Sequence, residues 1–340
     1  MDGGTMTPLI ADYSANEFNS PTTEGYGIEV EVERFDMGTR LGLANKMTKY
    51  WQIKDDGSLR NSGAEFVSKF LPPEDVATAV HYLYGKTRKH WEPSERTGIH
   101  VHANMLGRTF EEVARICTYY AMVEPLVFLW AGAEREENIF CVPWYRAPDE
   151  AALVARALRS CDTFALRQSC KYSGLFAGPL RTFGTLEFRH AQTFDTPEQL
   201  EAWVRVIRMT ANAYTLPDPI ELYAQEGVAA VVKLLFGELY EQINVPDTTL
   251  EAMLHDLGAV ETALLFQPVT YAQTGWGVPC AFDVGEGATP EPYLGSILRV
   301  PRFLIRNHED GDEEELPDYD EDDEIYDEPE PEPSDEEGEV

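Results

Sequence analysis

With 340 residues, 43% of them hydrophobic and 11% aromatic, the chain can bury one large α+β core or two ordinary ones. Its formal net charge of −33 is mostly local: Glu309 to Val340 holds 20 Asp and Glu and no Lys or Arg, which leaves −13 on the rest. A body this acidic offers no basic footprint for nucleic acid, and no apolar run reaches the ~18 residues that a membrane span needs.

Met1 to Asn19 has neither a basic start nor a continuous apolar stretch, so no signal peptide is expected. The longest apolar run, around Tyr120 to Ala133, carries Glu124 and reads as a buried helix. Five cysteines, odd in number and widely spaced without a C-x-x-C pair, argue against a zinc site or a disulfide framework. A soluble protein of a reducing, cytoplasmic compartment is expected.

In chain order, Gly27 to Phe35 reads as a strand in which Ile28, Val30 and Val32 alternate with Glu29, Glu31 and Glu33. Trp51 to Lys54 is a short strand turned by Asp55-Asp56-Gly57, and Glu65 to Phe70 is a third. Pro72-Pro73-Glu74 opens a helix running to about Trp91. Gly98 to Asn104 is again a strand. Thr109 and Glu112 have capping-box spacing at the head of a helix through roughly Trp130. A helix after Pro148 is expected to reach about Leu166, and Thr185 to His190 is a strand. Thr196-Pro197-Glu198 starts a helix to about Asn212; Asp218 to Phe266 is largely helical, with breaks near Gly227 and Val245-Pro246. Strands and helices without a βαβ rhythm predict an α+β fold, an antiparallel or mixed sheet with helices on one face.

Four segments carry chemistry. Residues two apart on a strand share a face, so the first strand stacks Glu29, Glu31 and Glu33 together. Such a stack is either the solvated face of an edge strand or a cation site, because like charges this close repel. Lys54-Asp55-Asp56-Gly57 followed by Glu65 is an ordinary hairpin signal that could also bring Asp56 and Glu65 to the same acids. His100 and His102 point the same way, opposite Ile99 and Val101, and make a better ligand pair than a lone buried histidine. Glu187 and Arg189 share a face of the Thr185–His190 strand, as a structural ion pair or as one carboxylate for a metal and one planar fork for phosphate. No Walker loop is present, since Val80 stands where the glycine preceding Gly85-Lys86-Thr87 must be. G-x-G-x-x-G after a strand, G-x-S-x-G and H-E-x-x-H are also missing, so a nucleotide would bind through carboxylate-held metal.

Read in order, seven segments resemble the amidoligase family, a branch of the glutamine synthetase-like carboxylate–amine ligases found in phages and microbes. They are Gly27 to Glu31, Lys54 to Leu59, Gly63 to Ser68, Gly98 to His102, Arg135 to Cys141, Lys171-Tyr172, and Gly184 to His190 with Thr193-Phe194-Asp195, spanning about residues 25 to 210. The resemblance implies a glutamine synthetase-like sheet whose concave face binds ATP and two or three divalent cations, Mg²⁺ or alternatively Mn²⁺, with helices on the other side. It implies that Glu31, Asp56 and Glu65 hold one metal and that Glu29, Glu187 and His100 or His102 hold another. Arg189 would contact phosphate, while Lys54, Arg135 and Lys171 would orient the substrate carboxylate or the nucleotide, or stand as surface and structural charges. The implied reaction joins a carboxylate to an amine through an acyl-phosphate, in the cytoplasm or, for a phage-encoded chain, in that of the host.

Glu33 extends the acid stack beyond the usual pair. The expected organisation is an arm over 1–24, a catalytic core over 25–215, a mostly helical continuation over 216–308, and an acidic disordered tail over 309–340. That tail is either solubilising or a dock for a basic partner. Other readings are a guanidino-type phosphotransferase on the same fold, a non-catalytic protein acting through its tail, and a metal-dependent hydrolase using the histidine pair.

Overall fold

Strand β1 (Tyr26–Val32) has the alternation its sequence predicts: Ile28, Val30 and Val32 are fully buried on one face. It ends at Val32, because Arg34 takes a left-handed φ of 57° that no strand continues. The computed structural model describes residues 24–243 and 247–266, all within one compact unit. The expected break at Val245-Pro246, the 267–308 segment, most of the N-terminal arm and the acidic tail lie outside the described residues.

Helix α1 (Met37–Met47) follows, capped by Asp36, whose carboxylate accepts from Thr39 N at 2.9 Å. Then come β2 (Trp51–Lys54) and β3 (Ala64–Ser68), two residues shorter at its end than expected. Helix α2 (Pro73–Thr87) gives way to a 3-10 turn over Arg88–His90 before β4 (Gly98–Asn104). Helix α3 (Phe110–Ala131) begins with both halves of its capping box formed by Thr109 and Glu112. By length and composition it is the one helix among the described residues apolar enough to cross a membrane, yet most of it is buried inside this fold. Pro125 inside it removes one helix donor.

The helix expected to run from Pro148 to Leu166 is α4 (Pro148–Arg159) alone. Cys161, at φ 53°, stops it, and a 3-10 turn over Thr163–Gln168 replaces its end. A short β5 (Leu175–Phe176) and α5 (Pro179–Thr182) precede β6 (Thr185–Gln192) and α6 (Pro197–Ala211), the latter with a Thr196–Gln199 capping box. Five short helices finish the described chain: α7 (Pro219–Glu226), α8 (Val228–Phe236), α9 (Glu238–Ile243), α10 (Asp247–Asp256) and α11 (Ala259–Leu264). Gly227, at φ 82°, makes the expected break between α7 and α8.

The six strands form one sheet in the order β2-β3-β1-β4-β6-β5, with every ladder antiparallel. Ile28, Val30, Phe66, Ile99, Val101, Leu186 and Phe188 are 0% exposed and share the core with residues of α2, α3 and α6. Strands β4 and β6 fall out of step between Ile99 and Val101: Ile99 faces Ala191, whereas Val101 faces Phe188. Arg189 and His190 together therefore oppose His100, which is a β-bulge. At this bulge Arg189 stays on the face of Glu187, and His190 is buried on the other.

Capping energetics give a direct check on α3, the helix beneath the sheet. Thr109→Ala should lower unfolding free energy by about 1 kcal/mol. In urea titrations the midpoint should fall with an unchanged slope.

Candidate functional site

The face of the sheet opposite the apolar core gathers acids and imidazoles because three ladders place them side by side. Glu31 stands directly across from Glu65, Glu29 from His100, and His102 from Glu187. A like-charged pair directly opposed on neighbouring strands is destabilising by itself. Glu31, Glu187 and His100 are buried here, while Glu29 and Glu65 are half-buried.

Two clusters result, and His100 belongs to both. Its Nδ1 lies 3.2 Å from Glu29 Oε2 and 3.6 Å from Glu187 Oε1, while Nε2 lies 3.8 Å from Glu31 Oε1. One atom from each of Glu29, His100 and Glu187 falls within 4.8 Å of the others, and the same holds for Glu31, Glu65 and His100. His102 stands just behind: its Nδ1 is 3.0 Å from Thr185 Oγ1, and its Nε2 is 3.5 Å from Glu29 Oε1 and 3.8 Å from Glu187 Oε2. Arg189 Nη1 donates to Glu187 Oε1 and lies 3.5 Å from His100 Nδ1.

Protonation follows from this crowding. Burial pushes the Glu65 carboxyl up to about 8, helped by the charges of Glu29, Glu31 and Asp56 and opposed by Lys54. Burial also raises Glu31, with Asp56 adding to it and His100 working against it. Burial opposes ionisation of Glu29 too, but hydrogen bonds from His100 and His102 overcome it and hold this carboxyl well below the usual range. Burial resists the charged form of His102, yet the charge of Glu187 and the hydrogen bond to Glu29 prevail and raise it.

Glu33, third in the acid stack, leaves the set. Its Oε1 accepts from Arg60 N at 3.0 Å and its Oε2 from Asn61 Nδ2 at 3.4 Å, so it ties down the loop before β3. Asp56 is close enough to bias Glu31 and Glu65, but its Oδ1 is engaged by Ser58 N and Oγ at 2.8 and 2.7 Å. Lys54 lies across from Glu65 in the ladder, at the edge of the sheet. Arg135 is buried away from the acids: its Nε donates to the His190 carbonyl at 2.8 Å and its Nη2 to the Arg189 carbonyl at 3.5 Å. Lys171 is exposed and lies over the Tyr172 ring at 4.9 Å; among the described residues no hydrogen bond or ion pair joins it to the carboxylate face.

Sequence patterns did not point to the role of Gly98, whose N–H donates to Glu31 Oε2 at 2.8 Å, or of Thr193, whose hydroxyl donates to the Glu31 carbonyl at 2.6 Å. Gly98 carries a faint signal, as the residue that lets the carboxylate approach: a Cβ there would sit 3.3 Å from Glu31 Oε2.

Hard carboxylate oxygens with one borderline imidazole suit Mg²⁺ or Mn²⁺. Added Mg²⁺ should therefore raise the melting temperature, by several degrees once it exceeds its dissociation constant a hundredfold, a gain of about 2.7 kcal/mol. A Glu31→Gln/Glu65→Gln variant should melt no lower than wild type without metal and gain less from Mg²⁺ than wild type, keeping only the share due to Glu29, Glu187 and His100. Glu33→Gln should keep the Mg²⁺ response. No family model matches the chain, and no curated protein matches it in sequence.

Proposed function

We propose that the protein is an ATP- and divalent-metal-dependent ligase that joins a carboxylate to an amine through an acyl-phosphate, releasing ADP and phosphate. The observation that carries this reading is the pairing of two ligand clusters across one imidazole, with a guanidinium beside them. Mg²⁺ or Mn²⁺ held there supplies charge neutralisation for the phosphate oxygens of the nucleotide.

Glu29, Glu187 and His100 are the residues that would hold one ion, and Glu31 with Glu65 the other, with Asp56 nearest to complete that set. Arg189 offers a planar donor fork that its bond to Glu187 keeps in place. A fixed donor aimed at developing charge stabilises it without reorganisation. His102, backed by Thr185 Oγ1, holds Glu29 and Glu187 in position. Lys54, exposed at the sheet edge across from Glu65, is a cation whose charge acts on that carboxyl and suits an incoming carboxylate.

The test is ADP release with a panel of carboxylates and amines, with products identified by mass spectrometry. An amide product supports ligation; a phosphorylated guanidine with no amide would move the assignment to a phosphotransferase. Glu187→Gln should lower Mg²⁺-dependent turnover by about 100-fold or more without unfolding the protein. Retained turnover in that variant would contradict the metal assignment. Removal of residues 309–340 should leave turnover unchanged, and its loss would make the acidic tail part of the site.

A further inference from the structure

Behind the carboxylate face, three polar side chains meet in an otherwise apolar interior. Tyr120 and Glu124 lie one turn apart on α3, and the Tyr120 hydroxyl donates to Glu124 Oε1. The same hydroxyl oxygen is 2.8 Å from His190 Nε2. Glu124 also accepts from Trp144 N at 2.8 Å and from Tyr145 N at 3.3 Å. All three side chains are 0% exposed. Burying them in place of apolar groups costs stability unless every group is bonded, so this array is not what a core needs for packing alone. With Tyr120 donating to Glu124, the contact with His190 requires Nε2–H on the imidazole.

His190 is one of the two residues of the β6 bulge; Arg189 is the other. The bulge is held from three directions. Tyr120 fixes the His190 ring, Arg135 binds both bulge carbonyls, and Arg189 N donates to the Gly174 carbonyl at 2.8 Å. Gly174 itself is squeezed against the array: a Cβ there would meet His190 Nε2 and the Tyr120 hydroxyl at 3.0 Å. The residue the bulge holds on the carboxylate face is Arg189, which keeps the side that alternation from Glu187 gives it, so the backbone held at the bulge sets where its guanidinium starts. Its guanidinium reaches Glu187 and His100 on the far face, while its Nε is buried with no partner among the described residues.

We propose that Glu124, Tyr120 and His190, together with Arg135, are positioning residues that set the β6 bulge and so aim Arg189 across the carboxylate face. The inference rests on the reading of Arg189 as the phosphate-contacting group. It also moves Arg135, a nucleotide-orienting candidate by sequence, to a different role, in which it clamps the bulge from behind.

The experiment uses the full chain labelled with ¹⁵N-arginine. The Arg189 Nε–H signal, assigned by its loss in Arg189→Lys, is followed by solvent exchange. In Tyr120→Phe, which keeps the ring and removes the hydroxyl, this exchange should speed up at least tenfold. Backbone amide protection in β1 and β4 and the Mg²⁺-induced rise in melting temperature should not change. In the same variant ADP affinity in the presence of Mg²⁺ should fall about tenfold, and combination with Arg189→Ala should add no further loss. Unchanged Arg189 exchange in folded Tyr120→Phe would overturn the proposal, as would an equal loss of protection in β1 and β4. If Tyr120→Phe does not fold, Arg135→Lys, which withdraws the fork from both carbonyls, gives the same reading. Failure of the wild type to bind ADP would overturn the ligase reading, while the exchange measurement would still decide the positioning role.

Discussion

The antiparallel register of β1 with its two neighbours is the constraint on which the rest depends. It sets Glu31 against Glu65 on one side and Glu29 against His100 on the other. Slippage by one residue would turn every one of these groups to the opposite face and bring Ile28 and Val30 into solvent. Burial of Ile28, Val30, Phe66, Ile99 and Val101 against the helices therefore fixes the acid cluster as well as the core. The apolar face supplies the energy, and the polar face inherits a geometry it could not stabilise by itself.

That polar face is electrostatically unbalanced in a useful way. Glu29, Glu31, Glu65 and Glu187 converge with Asp56 nearby, against His100, His102 and Arg189. Burial, reinforced by the neighbouring acids, raises Glu31 and Glu65, whereas hydrogen bonds from His100 and His102 hold Glu29 well below the usual carboxylate range. A face with this asymmetry has one half that demands a cation and one half partly satisfied. The guanidinium of Arg189 lies beside the satisfied half, bonded to Glu187 and close to His100, and away from the other pair of carboxylates.

Much of this was legible in the chain because two-residue alternation is a strong signal wherever one face is buried. Glu29 and Glu31 in β1, the His100/His102 pair in β4 and Glu187 with Arg189 in β6 all sit on the face that alternation assigns them. The capping box at Thr109 and the Thr196-Pro197-Glu198 start placed α3 and α6 to within a residue. What escaped was what depends on tertiary context. Helix α1 buries only Met47, so it has no apolar period to detect. Glu33 shares the period of Glu29 and Glu31, but the loop at Arg60 and Asn61, 27 and 28 residues away in sequence, claims it. The bulge at Arg189 and His190 exists only relative to β4, and the duty of Arg135 exists only relative to the bulge. Glu124 was visible as an acid inside an apolar run, but its partners Tyr120 and His190 were not, because a hydroxyl four residues away and an imidazole far along the chain carry no shared pattern.

Calorimetric titration of ADP, with and without Mg²⁺, into wild type and Glu31→Gln probes the whole arrangement with no knowledge of the substrates. Binding that appears only with Mg²⁺ and disappears in Glu31→Gln is the expected result. ADP binding that ignores both Mg²⁺ and the Glu31 substitution, or no binding to the folded wild type under any condition, would contradict a metal-held nucleotide on this face.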